Sequence, residues 1–231
     1  MKLKKFNCAP TLKKDIKIPT RKELLPIINE LRQQIVNTIF TVEEIVEIVG
    51  IFIGNRFKVD VKHACAAEVP QNDIDLNAYY DSGLDEVNHV SIEIFLITNP
   101  MDTVITLDNE GFDAMAKRIA DSISHEMVHM KQSRARGFLE VDTMADQKVD
   151  DELLESQLYL GDYNEVDAYA HNIAAELLDL PDYRAKLSTP STIATTESVN
   201  LWAYMQAFSK DFSHPVLKRL LKKIYKHLNQ N

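Results

Sequence analysis

Residues 125 to 129 read His-Glu-Met-Val-His, the pattern HExxH. Four residues advance an α-helix by about 400° and 6 Å, so His125 and His129 leave the same face and can bind one metal ion through one ring nitrogen each. Glu126 flanks the same position. There its carboxylate can accept a proton from a metal-bound water, which zinc acidifies to a pKa of about 7. The pattern therefore predicts a zinc site that produces a hydroxide nucleophile at neutral pH.

A catalytic zinc usually takes three protein ligands, so a third ligand must follow the HExxH pattern. The arrangement HExxHxxGxxH is excluded, because Gln132 and Ala135 stand where it needs glycine and histidine. The next histidine along the chain is His171. Glu165 is the better candidate. It shares a helical face with Ala168, so a small residue beside the ligand lets its helix approach the HExxH helix closely.

Asp167 and His171 form a rival pair of ligands. They are four residues apart and lie on a common helical face, about 200° away from Glu165. Either Glu165 faces the metal or this pair does. We favour Glu165, and we expect Asp167 to be solvated or to orient a neighbouring group. His171 is then a partly buried helix histidine.

A peptidase also needs a hydrogen-bond donor for the oxyanion that develops during the reaction. Tyr163, Tyr169 and His171 lie closest in sequence to the expected third ligand. Aromatic residues near a helix start also serve in packing, so the sequence leaves the choice among the three open. Tyr169 is our candidate catalytic residue besides Glu126.

The segments HEMVHMKQ at residues 125–132 and YLGDYNEVDAYA at residues 159–170 resemble metallopeptidase-like proteins of bacteriophages and bacteria. Those proteins pair HE-L/M-V-H-x-x-Q with a later P-x-E-x-E-A-Y. They look like gluzincins, in which a glutamate on a second helix completes a His, His, Glu zinc site. The resemblance implies that Glu165 is the third ligand and that the origin is a phage or prophage. This chain has Tyr163 where the family often has Pro, and Asp167 in place of the second Glu.

Composition is typical of a globular protein. The chain has 231 residues, of which 45% are apolar and 26% charged, so neither disorder nor a fibrous repeat explains it. The longest uncharged stretch, Ser198–Ser209, has about 12 residues, fewer than the roughly 18 that span a bilayer. Cys8 and Cys65 form no CxxC pattern, and no secretory signal is recognisable. These features predict a protein without a transmembrane helix in a reducing compartment, the cytoplasm of a bacterium or infected cell, with a virion as the alternative.

Charge is unevenly distributed around the net value of −9. Residues 1–22 hold eight basic side chains and residues 213–231 hold five, so the middle of the chain is strongly acidic. Such a body is expected to repel nucleic acid and to favour cationic substrate segments. Residues 140–167 include ten acidic residues and a single lysine. They are either a solvated loop or a negative rim that favours substrates with Lys or Arg.

Helix and strand signals surround the HExxH helix. Capping boxes at Thr20 and Thr41 predict two helices, the second ending around Gly50 to Gly54. Alternation from Phe57 to Val61, and a second β-rich run at 89–97, predict strands, with a loop from 70 to 85. The run at 89–97 is either a sheet edge that binds peptide or, as we favour, an ordinary core strand. Further helices are expected at about 108–136, 151–159, 164–180, 197–208 and 215–228. The last is basic and amphipathic. It could contact a membrane, nucleic acid or, as we favour, the acidic body of its own domain.

The sequence therefore predicts an α+β, helix-rich, zincin-like domain over residues 20–231, with a small β-sheet before the HExxH helix and a basic arm at residues 1–19. The expected function is that of a zinc metallopeptidase with a peptide or protein substrate. The alternative is a non-catalytic phage or bacterial protein in which the same zinc staples two helices. Structural zinc sites are normally closed by four protein ligands, whereas catalytic sites keep one position open. A third possibility is a surface helix that bears two histidines and no metal.

Overall fold

The computed structural model describes residues 16–139 and 150–229. Most of the predicted N-terminal arm, residues 1–15, lies outside the described residues. The helices are α1 (Arg21–Ile28), α2 (Arg32–Ile35), α3 (Val42–Phe57), α4 (Ser82–Glu86), α5 (Asn109–Ala135), α6 (Glu152–Gly161), α7 (Tyr163–Leu178), α8 (Tyr183–Ser188), α9 (Val199–Ala207) and α10 (Pro215–Leu228). The strands are β1 (Ile39–Thr41), β2 (Val59–Cys65), β3 (Asp75–Tyr80), β4 (Ile92–Thr98) and β5 (Val104–Thr106). The fold is mixed α+β, and within the described ranges every strand precedes the HExxH helix α5.

The main sheet has three strands in the order β2-β4-β3. The central strand β4 runs parallel to β2 and antiparallel to β3. The segment at 89–97 is therefore a core strand, because both edges of β4 are already paired. Strands β1 and β5 form a separate antiparallel pair.

The predicted loop from 70 to 85 is wrong, because β3 and α4 lie there. Strand β3 alternates exposed residues with half-buried Leu76, Ala78 and Tyr80, which pack against the core. Alanine and asparagine are poor strand formers, so the local signal is weak. Hydrogen bonding to β4 therefore stabilises a strand whose intrinsic propensity is low.

The predicted end of α3 at Gly50 to Gly54 is also wrong. The helix continues to Phe57 and ends at Lys58, whose left-handed φ is 56°. A Cβ atom on Gly50 would lie 3.4 Å from Cβ of Val61, and one on Gly54 would lie 2.9 Å from the carbonyl oxygen of Val59. Neither glycine stops the helix, and the absence of a side chain at Gly54 allows α3 to approach β2 closely.

Helix α5 has the ends that the sequence predicts. The side chain of Asp108 accepts a hydrogen bond from the backbone N–H of Gly111 at 2.8 Å, and Gly137 follows the helix with φ of +66°. The apolar face of its first half includes Phe112 and Ile119, and it joins a hydrophobic cluster that also contains the sheet and α1. The helix is thus anchored before the HExxH pattern begins.

A second hydrophobic cluster joins α7, α9 and α10. The apolar face of α10 packs on α7 through Leu217, Leu220 and Ile224, all fully buried. Its lysines at 218, 222 and 226 remain exposed. The basic helix therefore does contact its own domain. No helix among the described residues combines the length and apolar character that a membrane crossing requires.

A buried arginine joins three helices. Arg21 in α1 forms ion pairs with Asp121 in α5 at 2.5 Å and with Asp179, the residue that caps α7, at 2.7 Å. Burial raises the pKa of the Asp121 carboxyl, and the guanidinium opposes this shift. Removing one partner of such a pair leaves an uncompensated buried charge, so the contact fixes α1, α5 and α7 relative to one another.

The two glycines of α3 predict opposite effects of the same substitution. Gly50→Ala should raise the free energy of unfolding by about 0.5–1 kcal/mol, because alanine favours a helix and its methyl group meets only an ordinary contact. Gly54→Ala should lower it by about 1–3 kcal/mol, because the methyl group meets a backbone oxygen that cannot move aside cheaply. Chemical denaturation of both variants tests this, and equal stability of the two would contradict the proposed packing.

Candidate metal centre

Three side chains from two helices converge at one point. Nε2 of His125 lies 3.1 Å from Nε2 of His129 on α5. Glu165 on α7 places one carboxylate oxygen 3.4 Å from the first of these nitrogens and the other 3.3 Å from the second. All three residues are buried or half-buried, and the group could hold a metal ion.

The spacing of the donor atoms can be compared with a coordination sphere. At a zinc–ligand distance of about 2.0–2.1 Å, tetrahedral geometry separates neighbouring ligand atoms by about 3.3 Å. Each imidazole nitrogen lies 3.1 Å from the other and 3.3 or 3.4 Å from one of the two Glu165 oxygens. One donor atom from each of the three residues lies within 4.8 Å of the other two, so a small adjustment brings all three to one ion. Oε2 of Glu165 is also buried without a well-formed hydrogen bond to any described residue. A metal ion would satisfy this orphaned oxygen, so the residues fit the group.

Glu165 is positioned by the start of α7. The side chain of Asp162 accepts a hydrogen bond from the backbone N–H of Asn164 at 2.7 Å and caps the helix. Glu165 then lies in the first turn, where the helix dipole favours a negative charge. Ala168, one turn later, is fully buried, and α7 packs against α5. The small side chain of Ala168 thus leaves room for the close approach of α5 and α7.

The buried site shifts the pKa values of two ligands, Glu165 and His129. Burial opposes ionisation of Glu165, but the adjacent imidazoles of His125 and His129 outweigh it and lower the pKa of this carboxyl to about 2. Burial also opposes the charged form of His129, but the adjacent Glu165 outweighs it and raises the pKa of the imidazole. A metal ion binds the neutral imidazole, so a divalent cation would compete with a proton for His129.

Glu126 lies beside the ligands and is only 7% exposed. Burial raises the pKa of its carboxyl, and the negative charge of Glu165 adds to the shift. The backbone N–H of Tyr80, at the end of β3, opposes the shift. A carboxyl with a raised pKa exchanges protons more readily near neutral pH.

Tyr169 lies against the metal ligands. Its ring centroid is 4.7 Å from that of His125, in an edge-to-face arrangement. The ring centroid of Tyr159 on α6 lies 6.3 Å from that of Tyr169. Burial raises the pKa of the Tyr159 hydroxyl, and Tyr169 and Glu165 add to this shift. The sequence analysis assigned no role to Tyr159, because α6 approaches the site only through the tertiary fold. Tyr163 is 60% exposed and contacts the lysine side chain of Lys223.

The rival pair faces elsewhere. Asp167 forms ion pairs with Lys223 at 3.0 Å and with His227 at 3.3 Å, both on α10. His171 is 8% exposed, and its ring contacts that of His227 at 5.3 Å. Burial and nearby His227 lower the pKa of His171 to about 4. These two residues therefore join α7 to α10 and do not belong to the group that could hold a metal.

Gln132 and the acidic segment 140–167 are the remaining features from the sequence analysis. Gln132, which the sequence analysis used to exclude one motif and to support the family resemblance but gave no role, contacts Nδ1 of His129 at 3.2 Å. Of the acidic segment 140–167, residues 140–149 lie outside the described residues. In its described part Asp150, Glu152 and Glu155 are exposed, and Asp151 caps α6.

No protein-family model, curated protein or solved structure matches the chain.

Two carboxylates on the same helix provide a matched test of the ligand assignment. Glu165→Gln removes a charged donor from the group and should weaken zinc binding by at least about 100-fold, since zinc prefers an anionic oxygen. Asp167→Asn, two residues away, should leave zinc binding unchanged and should lower only the free energy of unfolding, because it breaks the contacts to α10. Isothermal titration with zinc measures the first effect and chemical denaturation the second. Loss of zinc binding in Asp167→Asn alone would restore the rival pair.

Proposed function

We propose that this protein is a zinc-dependent metallopeptidase with a zincin-like fold. The observation that supports the proposal is the convergence of His125, His129 and Glu165, with one donor atom from each within 4.8 Å of the others, beside a buried Glu126. Two neutral nitrogens and one carboxylate are a donor set that zinc accepts. The same three residue types also bind zinc in the proteins that the sequence resembles.

Three protein ligands favour a catalytic site over a structural one. Tetrahedral zinc with three protein ligands keeps a fourth position for water or substrate. Within the described part of the chain the group contains three ligands and no fourth. Zinc that merely staples α5 to α7 would need a further ligand, and the two candidates, Asp167 and His171, face α10. The catalytic function therefore has the better support.

The proposed reaction is hydrolysis of a peptide bond. Zinc, when bound, polarises the scissile carbonyl and acidifies the attacking water. Glu126 takes the proton from that water as the general base and later gives it to the leaving amine. Burial, by raising its pKa, makes this carboxyl a better proton acceptor than an exposed glutamate. His125, His129 and Glu165 hold the metal.

Tyr169 is the proposed donor to the oxyanion. Burial raises the pKa of its hydroxyl, so the hydroxyl keeps its proton at neutral pH and can donate it in a hydrogen bond. Its ring lies beside His125, within the same buried site. Tyr159 is close enough to Tyr169 for the two hydroxyls to interact, so it can hold the Tyr169 side chain in place.

A peptide or protein substrate has a place to bind beside the general base. Strand β3 pairs with β4 along one edge, and its other edge has no strand partner among the described residues. The backbone N–H of Tyr80, at the end of β3, is near enough to Glu126 to lower the pKa of its carboxyl. An extended peptide along β3 would therefore pass next to the proposed base.

Replacing the proposed base separates chemistry from metal binding. Glu126→Gln keeps the shape of the side chain but cannot accept the proton from water, so hydrolysis should fall by about 10²- to 10⁴-fold. Zinc content should stay at the wild-type value, because Glu126 is not a ligand. Cleavage of a mixture of quenched fluorescent peptides measures activity, and Glu110→Gln, an exposed position on the same helix, is the control. Full activity of Glu126→Gln, or loss of its zinc, would contradict the assignment.

A further inference from the structure

Gln132 connects the two helices that carry the metal ligands. It lies three residues after His129 on α5, and its Oε1 is 3.2 Å from Nδ1 of that histidine. Its Nε2 donates a hydrogen bond to the backbone carbonyl oxygen of Asn164 at 3.2 Å. Asn164 directly precedes the ligand Glu165 on α7. One amide group thus touches both a ligand ring and the backbone beside another ligand.

The carbonyl of Asn164 determines which way this amide faces. A backbone carbonyl only accepts hydrogen bonds, so the NH₂ group of Gln132 must point toward it. The amide oxygen then faces His129 and can only accept, so Nδ1 of His129 must carry the hydrogen. In a neutral imidazole this leaves the lone pair on Nε2. Nε2 is the atom that lies 3.1 Å from His125 and 3.3 Å from Glu165.

The position of Asn164 is itself fixed from two directions. Its backbone N–H is held by the capping side chain of Asp162 at 2.7 Å. Its side-chain oxygen accepts a hydrogen bond from Arg136 at the end of α5, at 2.8 Å. The carbonyl that orients Gln132 therefore belongs to a residue with little freedom to turn.

We propose that Gln132 is a positioning residue that sets the tautomer and the ring orientation of His129 for metal binding. The inference rests on the proposed zinc site and adds a residue to which no role follows from the HExxH pattern itself. Histidine ligands commonly donate their second ring N–H to an oxygen acceptor, and loss of that acceptor weakens metal binding. Here the acceptor comes from the same helix as the ligand, and its direction is set by the helix that carries Glu165.

Zinc affinity of matched variants tests the role. Gln132→Met keeps the length of the side chain but removes the acceptor, and it should bind zinc about 10- to 100-fold more weakly than the wild type. Gln132→Glu keeps an oxygen that accepts from Nδ1–H but loses the donor to Asn164. Its zinc affinity should therefore lie between that of the wild type and that of Gln132→Met. Lys131→Met, an exposed neighbour on the same helix, should bind as the wild type does. Competition with a chromogenic zinc chelator measures all four proteins. Should Gln132→Met not fold, Gln132→Asn, which is too short to reach both partners, replaces it with the same expectation.

A spectroscopic signal separates positioning from general stabilisation. In the zinc-loaded wild type, the Nδ1–H proton of His129 should give a ring N–H resonance that exchanges slowly with water, and Gln132→Met should lose it while its backbone amide spectrum is retained. Equal zinc affinity of wild type and Gln132→Met, or equal weakening by Glu and Met, would overturn the role of Gln132 and leave the zinc site intact. A wild-type protein that binds no zinc would overturn both proposals.

Discussion

The candidate centre depends on how closely α5 and α7 approach each other. His125 and His129 come from one helix and Glu165 from the other, and their donor atoms must meet within about 3.3 Å to share a tetrahedral ion. Three features of the fold stabilise this close approach. Ala168 is small, Arg21 joins both helices to α1, and each helix is anchored in its own hydrophobic cluster. The site lies where the two clusters meet, so the packing of the whole chain sets its geometry.

The second constraint is electrostatic. Two carboxylates, Glu126 and Glu165, lie beside two imidazoles in a buried site, and burial of unpaired charge is costly. A divalent cation balances the two negative charges, and it also satisfies the buried Oε2 of Glu165. Metal binding is therefore expected to stabilise the folded state, because the unfolded chain does not bring these ligands together. The hydrogen bonds of Gln132 then orient the His129 ring, which the metal alone would leave free to rotate.

Local signals in the sequence predicted the elements with strong periodicity or clear ends. Helix α5 was predicted to within two residues at each end, because Asp108 and Gly137 mark its limits. Glu165 was preferred over Asp167 and His171 from helical geometry, and the structure brings it to the two histidines. Strand β3 was missed because Asp75, Asn77 and Ala78 are poor strand formers, and the strand depends on pairing with β4. The glycines of α3 were wrongly interpreted as stop signals. Their contacts with β2 exist only in the tertiary structure, so the sequence does not show them. Tyr159 and the contacts of Gln132 could not be predicted, since both depend on how separate helices meet.

The most direct test of the central claim is a crystal structure of the zinc-loaded protein, with anomalous diffraction measured at the zinc absorption edge. The account predicts one strong peak about 2.0–2.2 Å from Nε2 of His125, Nε2 of His129 and a carboxylate oxygen of Glu165, with solvent at the fourth position. A peak closed by a fourth protein ligand would identify a structural zinc and contradict the peptidase. Absence of a peak between these three residues, at zinc concentrations that saturate ordinary zinc enzymes, would contradict the metal centre itself.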